Sequence, residues 1–194
     1  MSDAKLKTKM VTSADEKIRG SYVNIFQARK NDLNDNMEYS MQLLIPKEAK
    51  KTLASIKKAT QAAIANKFGD KAPSKMRKAL RDGDEPDDDG NPMRAEYLGH
   101  YYVNVKNSRA PGIVDQSRQP LMEASDLISG DYVRVSLNAY AYDQKGNKGV
   151  SLGLNNVQLV SKGEPLDGST SAEDDFDELE DADGLDGMFD DDDE

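Results

Sequence analysis

Between Tyr132 and Tyr142 every second residue is polar or aromatic: Tyr132, Arg134, Ser136, Asn138, Tyr140 and Tyr142 alternate with Val133, Val135, Leu137, Ala139 and Ala141. Residues two apart on a strand share a face, so this run sets a basic, aromatic face against an apolar one. Two shorter runs repeat the pattern. Tyr22, Asn24 and Phe26 alternate with Val23 and Ile25, and His100, Tyr102, Asn104 and Lys106 alternate with Tyr101, Val103 and Val105. Lys148, Arg109 and Arg118 fall on adjoining turns. Aromatic rings stack on unpaired bases for about 1–3 kcal/mol each, and neighbouring cations follow a phosphate chain with strong salt dependence. The pattern fits a single-stranded nucleic-acid surface, with Tyr22, Phe26, Tyr102, Tyr140 and Tyr142 stacking and Lys106, Arg109, Arg134 and Lys148 holding phosphates. The plainer reading treats these residues as ordinary strand tyrosines and surface cations. A twist that opens Tyr39 and Tyr101 outward would put them in place of Phe26 and Tyr102.

Other chemistry is narrowed by composition. The chain has no cysteine and one histidine, His100, so thiolate nucleophiles, thiolate metal sites and sites with two imidazoles are excluded. Gly146-Asn-Lys-Gly lacks the spacing and the Lys-Ser/Thr ending of a phosphate loop. The acidic stretch from Asp82 to Asn91 lacks the ligand spacing of a calcium loop and reads as solvated. No catalytic residues, metal or cofactor are expected. The N-terminal stretch has no apolar segment of signal-peptide length, and no run approaches the roughly 20 apolar residues of a membrane span. A soluble protein of the cytoplasm is expected.

The elements that must position the aromatic faces follow from period. Residues 1–16 are polar and without period, and are expected to be a flexible arm or a late-ordering edge. Strands are predicted from Arg19, over Met37–Ile45, over Tyr97–Lys106, over Asp131–Asp143, and back from Lys148 after a glycine-rich hairpin turn. The returning strand changes parity at Gly153-Leu-Asn-Asn, which predicts a bulge. Between the second and third strands, Leu53, Ile56, Ala59, Ala63 and Ile64 recur at helical spacing over residues 47–68, and a shorter helix is predicted over Pro73–Leu80. Five strands, one main helix and no βαβ alternation describe a mainly β fold: an antiparallel barrel or sandwich, best matched by a five-stranded OB-fold-like barrel with a helix between its second and third strands. This domain is assigned to residues 17–163.

Residues 164–194 form the third region, an acidic tail expected to be disordered. Residues 172–194 carry 14 acids and no base, which leaves 22 acids against 26 bases, about +4, in residues 1–171, although the whole chain carries −10. Phe176, Leu179, Leu185, Met188 and Phe189 are spaced through the acids, an arrangement suited to docking on a basic groove of a partner or over the chain's own groove.

Several runs together resemble a family of bacteriophage single-stranded-DNA-binding proteins, over about residues 17–175. They are Leu80-Arg-Asp-Gly-Asp-Glu, Gly99-His-Tyr-Tyr-Val-Asn-Val-Lys, Arg109-Ala-Pro-Gly-Ile-Val-Asp, and above all Ser129-Gly-Asp-Tyr-Val-Arg-Val-Ser-Leu-Asn-Ala-Tyr-Ala-Tyr-Asp with Lys148-Gly-Val-Ser-Leu-Gly-Leu-Asn-Asn-Val-Gln-Leu-Val. The resemblance implies an OB-fold that coats single-stranded DNA in phage replication, recombination or repair without sequence preference or catalysis. It also implies an acidic tail that recruits replication proteins and competes with DNA for the groove. One departure is plain: some tails of this kind end on an aromatic or apolar residue, whereas here Phe189 precedes Asp-Asp-Asp-Asp-Glu. Two other functions fit the residues, an acidic interaction hub that mimics nucleic acid and a single-stranded RNA binder.

Overall fold

The computed structural model describes residues 6–31, 35–144, 146–166 and 168, so the tail residues Phe176 to Phe189 lie outside the described residues. Among the described residues there are eight strands: β1 Lys9–Val11, β2 Arg19–Lys30, β3 Met37–Pro46, β4 Arg81–Asp82, β5 His100–Asn107, β6 Gly112–Val114, β7 Tyr132–Gln144 and β8 Asn147–Ser161. The α-helix among them, α1 at Lys50–Phe68, falls between β3 and β4. The three strands beyond the expected five are the short ones, β1, β4 and β6, which have too few residues to show a period. β1 lies within the expected flexible arm, where Met10 pairs with Leu137 and buries its side chain.

The five long strands close a ring. β2 pairs with β3, β3 with β5, β5 with β8, β8 with β7, and β7 with β2 through Arg19 and Tyr132. The closure corrects the expectation of a purely antiparallel sheet, because β5 meets β8 in parallel at Lys106 and Gly153, and β6 also runs parallel to β8. The core inside the ring is built by the alternation read from sequence: Met41, Leu43 and Ile45 of β3, Val103 and Val105 of β5, Val133, Val135 and Leu137 of β7, and Leu152 and Leu154 of β8 are buried. The parity change in β8 is a bulge, with the register slipping where Leu137 faces Leu154 but Ser136 faces Asn156.

α1 packs Ile56, Ala59 and Ala63 into this core. Its first turn has no side-chain cap from Ala49. Glu16, on the link between β1 and β2, supplies one instead, accepting the backbone N–H groups of Lys51 and Thr52 at 2.8 Å each. A carboxylate there satisfies orphan donors and faces the positive end of the helix dipole. Residues 73–80 are not helical. Pro73 opens the stretch, and Arg77 instead exchanges backbone hydrogen bonds with the hairpin end of β8, donating to Lys148 O and accepting from Val150 N–H.

Candidate nucleic-acid interface

The outer face of β2, β3 and β5 is set by register. Ser40 lies between Asn24 and Lys106, Gln42 between Ser21 and Asn104, and Arg29 lies opposite Glu38. These residues alternate with the core positions of β3 and so point away from the core. A groove of about 330 Å³ opens over them, lined by Tyr22, Arg29, Lys30, Asn31, Glu38, Ser40, Met41, Gln42, Asn104 and Lys106.

Tyr22 stands at its mouth. The β2–β3 register slips between Ser21 and Asn24, and Tyr22 takes up the extra residue with φ 46°, in the left-handed region. A side chain held there costs about 1–2 kcal/mol relative to ordinary backbone. Asn24 Nδ2 donates to Tyr22 O at 3.0 Å and braces the bulge. The strain is not repaid by burial, since Tyr22 remains 53% exposed.

The floor is a chain of polar groups. Tyr97 Oη donates to Gln42 Oε1 at 2.6 Å, and Gln42 Nε2 donates to Asn104 Oδ1 at 2.9 Å. Burial pushes the Tyr97 phenol up to about 12, and the neighbouring Tyr22 hydroxyl adds to the shift. Lys106 Nζ is held over the groove by both carboxylate oxygens of Glu38, at 2.8 and 3.1 Å. Arg29 has no carboxylate within ion-pair distance among the described residues. The groove thus combines an exposed ring, three cations (Arg29, Lys30 and Lys106) and amide groups in one concavity, the components that single-stranded nucleic acid engages.

Of the sequence-predicted residues, Tyr22 and Lys106 line this groove together, and Tyr140 adjoins it across Gly153. Tyr140 is 41% exposed, and Gly153, the β8 partner of Lys106, puts no side chain between them. Arg109 lines a separate pocket past the end of β5. Arg134 lies six residues from Tyr140 on β7, about 20 Å away at roughly 3.3 Å per residue, and its Nε donates to Thr12 O at 3.2 Å. Tyr142 is half-buried near the hairpin end of β7 and β8, with its hydroxyl packed over Gly149, and Lys148 pairs with Asp143 there at 3.3 Å.

Two expectations are corrected. Tyr102 is buried, with its ring edge-on to Tyr97 at 5.1 Å and Leu44 and Leu166 against it. The turn at 95–97 folds over that part of the outer face, so alternation there does not mean exposure. Phe26 is half-buried and packs on the main core, because a second register slip between Asn24 and Arg29 breaks the alternation. The acidic loop is also engaged rather than simply solvated. Lys47 contacts Asp82 at 2.5 Å and Asp84 at 2.7 Å, which raises its own pKa and lowers both of theirs.

Sequence reasoning missed Tyr97, Gln42 and Arg29. Tyr97 reads as the start of a strand but lies in a 3₁₀ turn. Gln42 was detectable as an amide at an outward position within Met41-Gln-Leu-Leu-Ile.

Comparison with known proteins places this geometry in a class. The fold is similar to solved phage single-stranded-DNA-binding proteins. One is that of bacteriophage Enc34 in complex with single-stranded DNA (TM-score 0.66, 21% identity, 82% of this chain and 89% of that one). Another is gp2.5 of bacteriophage T7 (TM-score 0.57, 16% identity, 89% and 99%). Protein p50 of Acyrthosiphon pisum secondary endosymbiont phage 1 is 30% identical over 173 residues, 84% of this chain and 90% of that protein. The family model described as Enterobacter phage Enc34, ssDNA-binding protein, matches residues 8–186, and the chain belongs to that family. Among the described residues no helix is long and apolar enough to cross a membrane, and no cluster of acids or histidine has the geometry to hold a metal.

Proposed function

We propose that this chain is a non-catalytic, sequence-tolerant single-stranded-DNA-binding protein acting in phage DNA replication, recombination or repair. Its binding unit is an OB-fold-like ring of strands over residues 17–163, and the groove over β2, β3 and β5 is where DNA lies. The carrying observation is that groove, with Tyr22 exposed in a strained backbone conformation beside Lys106 and Arg29. Strain that persists without burial is characteristic of functional positions. Family membership supports the ligand, since the Enc34 protein has been solved with single-stranded DNA.

The tail over residues 164–194 competes with DNA for the groove, and Phe176, Leu179, Leu185, Met188 and Phe189 dock on replication proteins. Two observations support the first role. The described chain leading into the tail runs to one end of the groove, where Arg19 Nη2 donates to Glu164 O at 2.6 Å, Leu166 N–H donates to Ser129 O at 3.1 Å, and Leu166 packs on the Tyr97–Tyr102 pair. Removal of residues 172–194 also moves the net charge from −10 to about +4.

Anisotropy titration of labelled oligo-dT, a duplex of the same length and oligo-U tests both parts, using the full chain and a chain ending at Ser171 at two salt concentrations. The expected result is tight binding to oligo-dT over duplex, stronger without the tail, with the largest gain at low salt. Binding by neither chain would hand the protein to the interaction-hub reading. Preference for oligo-U would make it an RNA binder.

A further inference from the structure

A second pocket of about 290 Å³ opens past the end of β5, on the outer side of β1, β7 and β8. Lys9, Arg109 and the asparagines Asn107, Asn138, Asn155 and Asn156 line it with Ala110, and no carboxylate does. Neither Lys9 nor Arg109 has an acidic partner among the described residues, unlike Lys106, Lys148 and Lys162, each of which is paired.

The amides are oriented by what already occupies their oxygens. Asn156 Oδ1 accepts the backbone N–H of Gly112 at 3.1 Å, and Asn107 Oδ1 accepts that of Arg109 at 3.0 Å. A backbone N–H can only donate, so neither amide can turn its oxygen outward without losing that bond. Gly112 makes the first contact possible, since a Cβ there would lie 2.9 Å from Asn156 Oδ1. Asn138 Oδ1 is taken by the Thr8 hydroxyl at 2.9 Å, and Asn107 Nδ2 is spent on Leu154 O at 2.7 Å. Asn156 Nδ2 therefore remains a fixed donor, and Asn138 Nδ2 a donor in the arrangement shown, beside two cations with no acidic partner among the described residues. A cavity with two cations, amide donors and no carboxylate favours an anion.

We infer that this pocket is a second anion site that takes backbone phosphates of the single strand after it leaves the main groove. The inference rests on the DNA-binding reading for its ligand, but the pocket's two cations and its lack of a carboxylate stand apart from it. Continuity supports the path. Lys106 lines the groove and its chain neighbour Asn107 lines the pocket, while Gly153 leaves the saddle between Lys106 and Tyr140 without a side chain.

Oligonucleotide length is the discriminating variable, because a strand of about four nucleotides occupies the groove alone and one of about sixteen reaches both sites. Asn156→Asp keeps the oxygen that accepts from Gly112 and replaces the donor with a negative charge. It should weaken binding of the longer oligo-dT in the full chain and leave the shorter one unchanged. Lys9→Gln with Arg109→Gln should do the same and lower the salt slope for the longer oligonucleotide by about 1.4, two phosphates at roughly 0.7 each. No loss, or an equal loss at both lengths, would overturn the inference. A gain in affinity on Asn156→Asp that vanishes when the chain ends at Ser171 would assign the pocket to tail carboxylates and also overturn it. If the unmodified protein binds neither oligonucleotide, the DNA reading fails by itself and inorganic phosphate decides the pocket. Shifts in the side-chain amide signals of Asn138 and Asn156 on phosphate titration would keep an anion site, and unmoved signals would remove it.

Discussion

Replacing Tyr22 with glycine separates function from stability at one residue. The ring is 53% exposed, so its loss opens no cavity in the core. At φ 46° glycine sits without the side-chain penalty, a gain of about 1–2 kcal/mol in the folded state. Glycine's extra freedom in the unfolded chain takes back about 0.5–1 kcal/mol. The net change is an increase of about 0–1.5 kcal/mol, which for a protein of this size moves the melting temperature upward by no more than about 6 °C. DNA affinity should move the other way, because losing one stacked base at about 1–3 kcal/mol corresponds to roughly 5- to 150-fold weaker binding. Thermal melting followed by circular dichroism and anisotropy titration with oligo-dT, on the same preparations, read both quantities. Unchanged affinity would mean that Tyr22 does not stack. A fall in melting temperature of more than about 6 °C would mean that its ring is packing and that the strain argument is wrong.

Four further outcomes follow from the same geometry. Tyr102→Ala should destabilise the fold by about 2–4 kcal/mol, since it removes a buried ring from the Leu44–Tyr97 cluster, and its chemical-denaturation midpoint should fall well below that of Tyr22→Ala. Lys106→Ala should lower the salt slope of oligo-dT binding by about 0.7, one phosphate, with little change in melting temperature because its pair with Glu38 is partly exposed. Tyr97 binds its proton more tightly folded than unfolded, so its contribution to stability is complete below about pH 10 and is lost as pH rises through about 12. Ultraviolet titration should therefore show one late-ionising tyrosine that disappears in Tyr97→Phe. Glu16→Gln should cost about 1 kcal/mol in urea unfolding by weakening the cap on α1.

The long strands β3, β5, β7 and β8 were legible because each keeps one face apolar for at least five residues, as Val133 to Ala141 does. The bulge in β8 was legible because Leu154 and Val157 break parity within one run. The limits came from features without a local period. Three-residue β1 and two-residue β4 carry no alternation of their own, and the turn at 95–97, just before β5, folds back over Tyr102 in a way that alternation does not encode. Within the groove, Tyr22 and Lys106 were readable as outward aromatic and basic residues. Gln42 was readable as an outward amide, but its partner Tyr97 enters only through the fold, which brings the two together across 55 residues. Arg134 lies outside the groove for a related reason: sharing a strand face with Tyr140 does not bring it near, since strands are long compared with a groove.

The central claim is that single-stranded DNA lies over β2, β3 and β5. Hydrogen–deuterium exchange of the full chain with and without saturating oligo-dT tests it directly. The account predicts slowed exchange in residues 21–24, 38–42 and 104–107, with α1 unchanged. Protection confined to α1 or the 82–91 loop, with those three segments unaffected, would contradict it.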